Sequence, residues 1–291
     1  GFTSLITSTI PPGVGMILYG TTGDVSIGRL FMAGLMSGLI MMAVMMIMVA
    51  ITAKRRGFKR AREKRASLKE ILVSLKDTIW ALIFPIVLIG SLRLGIFTPS
   101  EVGAFACCYA LIVGFFIYKT MTLKTLVATF KEAVTDIGAI MFMISMSSIF
   151  GYGIPFDRIP QKLTTLIMSI SSNPIIIMSI VVFFLILFGC FMEGSVIILL
   201  LTPILMPLIK TVGVDPVLFG VIMSIVVTMG ILTPPVGVAM YIVTGILECP
   251  LGEYMKEAWR WIIVVILVVI ILFAVPKLIL FLPNLLYGTA G

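Results

Sequence analysis

The sequence predicts an all-α polytopic membrane protein with a re-entrant helical hairpin and two discontinuous helices arranged as an inverted repeat. The chain is 60% hydrophobic and only 12% charged, with a mean hydropathy of +1.22. A soluble domain carries about 25% charged residues. The apolar residues gather in segments of the length that a membrane span requires. Two of these segments contain a Pro-Pro pair, at which a helix cannot run unbroken.

Eight apolar segments follow one another along the chain. Most approach or exceed the roughly 20 residues that a helix needs to cross the hydrocarbon core. The first starts almost inside a Pro-Pro motif and is incomplete, so we expect the sequence to be part of a longer protein. In order, the candidate spans are 1–22, 28–52, 78–97, 102–118, 133–152, 174–209, 217–247 and 259–283.

The first and seventh segments carry the two Pro-Pro motifs, STIPPG at Ser8–Gly13 and TPPVG at Thr233–Gly237. Backbone without hydrogen-bond partners is tolerated at membrane depth only where it is buried in protein or lines a wet cavity. A matched pair of broken helices is typical of the binding site of a secondary transporter. The alternative is that either motif only kinks its helix for packing.

The charges after the second segment predict the orientation. Ten of the 21 basic residues lie between Lys54 and Lys76. By the positive-inside rule, 53–77 is a cytoplasmic loop in contact with lipid headgroups, rather than a nucleic-acid-binding stretch. The two broken segments then cross the membrane in opposite directions, which predicts an inverted repeat.

The third to fifth segments carry few chemical signals. The sequence TPSE at Thr98–Glu101 predicts a capping box at the start of the fourth segment. The chain has no histidine, and its four cysteines have neither metal nor disulfide spacing. Histidine proton relays and histidine metal sites are therefore excluded within this sequence, and no pair of acids at catalytic spacing indicates an enzyme.

The sixth segment, 174–209, is too long for one span and too short for two. Gly189 and Gly194 lie in its middle, so we predict a re-entrant hairpin with its tip at Gly189–Ser195. One long tilted helix is the alternative. Glu193 favours the hairpin, because a carboxylate at membrane depth requires a cavity, a partner or a proton. It is a candidate proton carrier, cation partner or polar tip residue.

Each break presents backbone groups that suit ions. The carbonyls that end one half-helix suit a cation such as sodium, and the N–H groups that start the next suit a carboxylate. Thr9 and Thr233 add hydroxyl oxygens at the same places. Glycines that permit close approach of a ligand or a second backbone are Gly13, Gly15, Gly189, Gly194 and Gly237.

Six motifs together resemble the large membrane subunit of tripartite ATP-independent periplasmic (TRAP) transporters. The resemblance covers essentially the whole sequence, in the order of the family, and we expect the family's N-terminal part with its first hairpin to precede it. Gly13 departs from the family, which usually has Ser after the first Pro pair. The matching motifs are Ile10–Gly20, Gly95–Glu101, Gly189–Gly194, Pro203–Pro207, Val214–Gly220 and Gly230–Gly237.

This resemblance implies an elevator transporter of the ion-transporter superfamily, in the cytoplasmic membrane of a bacterium or archaeon. It implies sodium-coupled import of an organic anion, such as a C4-dicarboxylate or sialic acid. The implied partners are a small four-helix membrane subunit and a periplasmic substrate-binding protein. Sodium is the expected ion, without an organic cofactor.

The resemblance also implies site residues. One sodium ion would lie between the hairpin tip and the second break, and another between the first break and a preceding hairpin. The cation candidates are Gly189, Gly194, Gly230, Thr233, Pro235 and Gly237 for one site, and Thr9, Pro11 and Gly13 for the other. The substrate candidates are Ser8, Thr9, Pro12, Gly13, Ser195, Pro234 and Val236, with Glu193 as a candidate coupling residue.

We accordingly divide the chain into five parts. Those of the transport domain are 1–52 from the first repeat and 174–247 from the second. The others are a basic linker at 53–77, scaffold and connecting helices at 78–173, and a turn with the last span at 248–291. The alternatives are a stand-alone anion carrier of the same superfamily, which needs no binding protein, an uncoupled channel and a membrane-embedded enzyme.

Overall fold

The computed structural model describes residues 1–58 and 66–288, and regular structure within these ranges is helical throughout. A π-helical turn at Val113–Ile117 extends α5. The helices are α1 (Ser4–Thr9), α2 (Val14–Gly23), α3 (Ile27–Arg55), α4 (Leu68–Arg93), α5 (Pro99–Ile112), α6 (Leu123–Phe156), α7 (Ile159–Ile170), α8 (Pro174–Gly189), α9 (Gly194–Val212), α10 (Pro216–Gly230), α11 (Val238–Leu247), α12 (Leu251–Ala274) and α13 (Pro276–Tyr287).

The predicted all-α membrane class is confirmed. In the part of the chain that the structure describes, five helical segments are long and apolar enough to cross a membrane. Each keeps a window of low charge over at least 18 residues, as a single span requires. They are Ile27–Arg55, Leu68–Leu92, Ser100–Ile117, Gly194–Val212 and Leu251–Ala274.

The chain forms two compact units, one of residues 1–48 with 143–291 and the other of residues 49–142. The division made from the sequence, with scaffold and connecting helices at 78–173, stays a prediction. Residues 143–173 belong to the first unit, where α7 packs against α9. The apolar residues of α7 recur at helical spacing, at Leu163, Leu166, Ile167 and Ile170. The sequence analysis missed this pattern.

Helix α10 is the centre of the first unit. Every residue from Val217 to Val227 is buried, and α8, α9, α1, α2 and α12 pack around it. Its sequence is apolar on all sides, which is the composition of a helix enclosed by protein. The second broken segment is therefore supported on several faces up to the point at which it breaks.

The first broken segment lies antiparallel to α10. Tyr19, near the end of α2, donates a hydrogen bond of 2.8 Å to the carbonyl of Pro216, which begins α10. Closer to the start of α2, Gly15 faces Ser224 in the middle of α10. The contacts thus run in opposite directions along the two helices. This is the relation that the loop charges predict, while the inverted repeat itself stays a prediction.

The segment 174–209 is a helix–turn–helix and not one long helix. Helix α8 ends at Gly189, α9 begins at Gly194, and residues 190–193 turn the chain. Helix α9 accommodates Pro203 and Pro207 and continues to Val212. The hairpin is therefore present, and its re-entry into the membrane stays a prediction.

The last predicted span, 259–283, is wrong as a single helix. Helix α12 starts earlier, after Pro250, and ends at Ala274, and α13 begins at Pro276. Pro276 has no N–H to bond back to the preceding turn, so the helix stops and a new one starts there. Asn284 and Gly288, at the end of α13, accept hydrogen bonds from the guanidinium of Arg29 on α3.

In the second unit, α4 and α5 both begin with capping boxes. Thr98 and Glu101 bond reciprocally at the start of α5, as predicted, and Ser67 and Glu70 do the same for α4. The sequence analysis missed the second capping box. Because of this box, helix α4 begins at Leu68, within the segment 53–77 that was predicted to be a linker. The centre of that linker, 59–65, lies outside the described residues.

Candidate functional site

The second break is a compact turn around Thr233. Helix α10 ends at Gly230, and α11 begins only at Val238. The Thr233 side chain is buried, with 6% of its surface exposed. Its hydroxyl donates a hydrogen bond of 2.8 Å to the carbonyl of Gly230, and its backbone N–H bonds to the same oxygen at 2.9 Å. The hydroxyl is thus fixed at the end of the half-helix, where carbonyls face outward from its terminus.

The hairpin tip docks directly on this turn through Cys190. The Cys190 carbonyl accepts hydrogen bonds from the N–H groups of Val236 and Gly237, at 3.2 and 3.3 Å. Its Sγ lies 2.9 Å from the Thr233 Oγ1. Two segments that are far apart in sequence therefore share a small polar cluster, which we call the tip–break cluster: Cys190, Gly230, Thr233, Val236 and Gly237.

Glycine makes this docking possible. A Cβ added at Gly230 would lie 2.5 Å from the Cα of Gly189 and 2.8 Å from its carbonyl oxygen. Gly237 has a positive φ of 32°, and a Cβ there would lie 2.5 Å from the Thr233 carbonyl oxygen. Both positions exclude larger residues for steric reasons. Of the predicted cation residues, Gly189, Gly230, Thr233 and Gly237 are thus brought together.

Other predicted residues lie beside the cluster. Gly194 packs against α10, since a Cβ there would lie 3.2 Å from Val227. Pro234 and Pro235 are exposed, and so is the side chain of Val236, of which only the N–H belongs to the cluster. Ser195 is half-buried at the start of α9.

The carboxylate of Glu193 caps helix α9. It accepts hydrogen bonds from the N–H groups of Ser195 at 2.8 Å and Val196 at 3.2 Å, and from the Ser195 hydroxyl at 3.1 Å. A carboxylate at this position stabilises the orphan donors of a helix N-terminus. A capping function therefore accounts for this acid at the tip, and its role in coupling stays a prediction.

Tyr254, on α12, supports the break from the other side. Its hydroxyl donates a hydrogen bond of 3.1 Å to the carbonyl of Leu232. The Ile231 carbonyl accepts from the N–H groups of Ala239 and Met240, at 3.1 and 3.3 Å. The two half-helices are therefore tied to each other and to α12, and Tyr254 was not among the predicted site residues.

The first break, residues 10–13, is shorter and lies against α3. Thr9 is fully buried and its hydroxyl bonds to the Leu5 carbonyl at 2.8 Å. A Cβ on Gly34 would lie 2.6 Å from the Thr9 carbonyl oxygen, and Gly38 faces Ile10. The spacing Gly-x-x-x-Gly on α3 is a known signal for close helix packing, and the sequence analysis did not use it.

The predicted residues of the first break form a separate group from the tip–break cluster. Pro11 and Gly13 are buried, Pro12 is exposed, and the hydroxyl of half-buried Ser8 bonds to Leu5. The Pro11–Pro12 and Pro234–Pro235 peptide bonds are both cis. Gly13 precedes α2 and Gly237 precedes α11, and neither half-helix has a side-chain cap. The N-terminus of α2 therefore suits an anion, whereas at α11 the N–H groups of Ala239 and Met240 already bond to the Ile231 carbonyl.

Among residues 1–58 and 66–288, no three His, Cys, Asp or Glu side chains gather as a metal site would require. Apart from the Cys190 thiol, the groups that the tip–break cluster presents are carbonyl and hydroxyl oxygens. Hard cations prefer such oxygens. The donor set therefore fits sodium better than it fits a transition metal.

Comparison with known proteins agrees with this architecture. The sequence model of the family described as "Tripartite ATP-independent periplasmic transporter, DctM component" matches residues 3–278. A putative TRAP transporter large permease protein of Haemophilus influenzae is 34% identical over 96% of this chain and 65% of its own length.

The names of two further relatives state a substrate. The sialic acid TRAP transporter large permease protein SiaM of Vibrio cholerae is 33% identical over 98% of this chain and 66% of its own length. The C4-dicarboxylate TRAP transporter large permease protein DctM of Pseudomonas aeruginosa is 31% identical over 94% of this chain and 64% of its own length. The chain thus spans slightly less than two thirds of each of these relatives.

Proposed function

The chain belongs to the DctM component family of tripartite ATP-independent periplasmic transporters, and we propose that it carries out sodium-coupled import of a small organic anion. The anion is a carboxylate of the C4-dicarboxylate or sialic acid type. The family is one of transporters, and transport of this kind involves no covalent chemistry on the substrate.

The observation that carries the proposal is the docking of the hairpin tip on the second break. Cys190 and the turn at Thr233–Gly237 hold each other through main-chain hydrogen bonds, next to a buried threonine hydroxyl. Broken helices at membrane depth occur where they are buried in protein or line a cavity, and in secondary transporters such breaks form the ion and substrate sites. We therefore propose that one sodium ion binds at the tip–break cluster.

The anion is proposed to bind near the exposed residues that flank the two breaks. Pro12 lies just before α2, and Pro234 and Val236 lie just before α11. The positive dipole end of each half-helix favours a carboxylate there. A sodium ion held by the neighbouring carbonyls would add positive charge and so couple the two ligands.

An elevator mechanism is proposed for the movement. The first compact unit contains both breaks and the hairpin, so we assign it to the moving transport part and the helices of 49–142 to the static scaffold. A small membrane subunit would join the scaffold, and a periplasmic binding protein would deliver the anion. A bacterial cytoplasmic membrane is the proposed location.

The experiment is uptake by the complete transporter in proteoliposomes, with radiolabelled sialic acid and radiolabelled succinate as probes. We expect uptake of one probe to require both an inward sodium gradient and the binding protein. Uptake that ignores the sodium gradient would contradict coupling and support a channel. Sodium-driven uptake without the binding protein would instead support a stand-alone carrier.

A further inference from the structure

We infer that Cys190 is a positioning residue that sets the sodium affinity of the tip–break cluster by orienting the hydroxyl of Thr233. The inference rests on the proposed sodium coupling and deepens it. It concerns a side chain that was not among the site residues predicted from the sequence, although the glycine before it was.

The hydrogen-bonding capacity of the Thr233 hydroxyl determines which atom donates in its contact with Cys190. A threonine hydroxyl has one hydrogen and two lone pairs. A carbonyl oxygen can only accept, so the Thr233 hydroxyl gives its hydrogen to the Gly230 carbonyl, 2.8 Å away. At the 2.9 Å contact with Cys190 Sγ, Oγ1 must therefore accept, and the thiol must donate. One lone pair of Oγ1 then remains for a cation.

The thiol itself is held in place. The carbonyl of Cys190 is bonded to two N–H groups of the same turn, those of Val236 and Gly237. The side chain is buried, with 8% of its surface exposed. The main chain that carries the thiol is therefore held against the turn, and burial restricts the side chain's other rotamers.

Two hydrogen bonds thus fix the rotation of the Thr233 hydroxyl, one through its own hydrogen and one through the thiol. A ligand group held in its binding orientation loses less entropy when the ion binds. Loss of the thiol leaves the hydroxyl with one restraint. The affinity for sodium should then fall while the path of the substrate stays unchanged.

The experiment compares wild type, Cys190→Ala, Cys190→Ser and Cys249→Ala in the complete transporter. Two readouts give the half-saturating sodium concentration, namely uptake in proteoliposomes and the sodium-dependent rise of the melting temperature in detergent. Cys249→Ala is the matched control, because Cys249 lies after α11 and outside the cluster.

We expect Cys190→Ala to raise the half-saturating sodium concentration about three- to tenfold, the effect of one net hydrogen bond. This effect should exceed any change in the maximal uptake rate. Cys190→Ser keeps a donor and should restore most of the sodium affinity, while Cys249→Ala should match wild type. If Cys190→Ala does not fold, Cys190→Val takes its place, because it keeps the volume without the donor.

Unchanged sodium half-saturation in Cys190→Ala would overturn the inference. An equal loss in the alanine and serine variants, or a loss of maximal rate alone, would overturn it as well, since either indicates a purely structural role. A wild type whose uptake and melting temperature both ignore sodium would remove the proposed function, and this inference with it.

Discussion

Gly189 and Gly230 meet backbone to backbone where the end of α8 crosses the end of α10. No side chain separates the hairpin tip from the broken helix at this point, so the two main chains approach as closely as their atoms permit. The hydrogen bonds from the turn to the Cys190 carbonyl depend on this approach. The crossing therefore determines whether the tip–break cluster forms.

The first prediction concerns this crossing. Gly230→Ala would place a Cβ 2.5 Å from the Cα of Gly189, and main-chain atoms cannot yield as a flexible side chain does. We expect a loss of about 1–3 kcal/mol in stability, with a fall in uptake. Thermal unfolding in detergent and proteoliposome uptake measure the two effects.

Gly245→Ala is the matched control for this change. Gly245 lies within α11, and a Cβ there has no heavy atom within 4 Å, so alanine should be neutral or slightly stabilising. Equal melting temperatures for wild type and Gly230→Ala would show that the crossing is not close-packed in solution.

The second prediction tests Thr233 as a sodium ligand. Thr233→Ala removes the hydroxyl and should raise the half-saturating sodium concentration about ten- to a hundredfold, the range for a hydrogen-bond partner of a charged group. Sodium titration of uptake measures it. Thr228→Ala is the control, because Thr228 lies near the end of α10, outside the cluster, and its hydroxyl also bonds to a carbonyl, that of Ser224. A Thr233→Ala variant with wild-type sodium dependence would rule out this site.

The third prediction concerns the link between the first broken segment and α10. Tyr19→Phe removes the 2.8 Å hydrogen bond to the Pro216 carbonyl while it keeps the ring that packs edge-on against Phe219. We expect a loss of about 1 kcal/mol without a change in sodium dependence. Tyr241→Phe is the control, because Tyr241 is exposed, and it should have no effect on thermal unfolding. Equal effects of Tyr19→Phe and Tyr241→Phe would refute a stabilising hydrogen bond between Tyr19 and Pro216.

The fourth prediction concerns Arg29 and Asn284. The buried guanidinium of Arg29 donates to the Asn284 Oδ1 at 2.8 Å and to the Gly288 carbonyl at 2.6 Å. Arg29→Met should cost about 2 kcal/mol of stability, because hydrogen bonds from a charged group are lost. Asn284→Ala should also destabilise the protein.

A double-mutant cycle separates this pair from general packing. The two changes together should cost less than their sum by at least about 0.5 kcal/mol, as for residues in direct contact. Strict additivity in thermal unfolding would mean that Arg29 and Asn284 do not interact. Arg29→Lys is expected to restore only part of the stability, since one ammonium group cannot match the planar fork.

Local signals account for what the sequence analysis predicted correctly. The breaks at residues 10–13 and 231–237 follow from proline chemistry, and the hairpin follows from the length of 174–209 with glycines at its centre. The capping box at Thr98 and Glu101 is likewise a short-range pattern. Errors arose where a local signal was overlooked, as at the Ser67 capping box and at Pro276.

The amino-acid sequence by itself determined the helical membrane class, the positions of both breaks and the presence of a hairpin. These features depend on hydropathy, segment length and missing backbone donors, which neighbouring residues set. Only the tertiary structure decided that Cys190 meets Thr233 and that Gly189 meets Gly230. These two contacts depend on how the helices rotate and cross. No periodicity within either segment specifies that geometry.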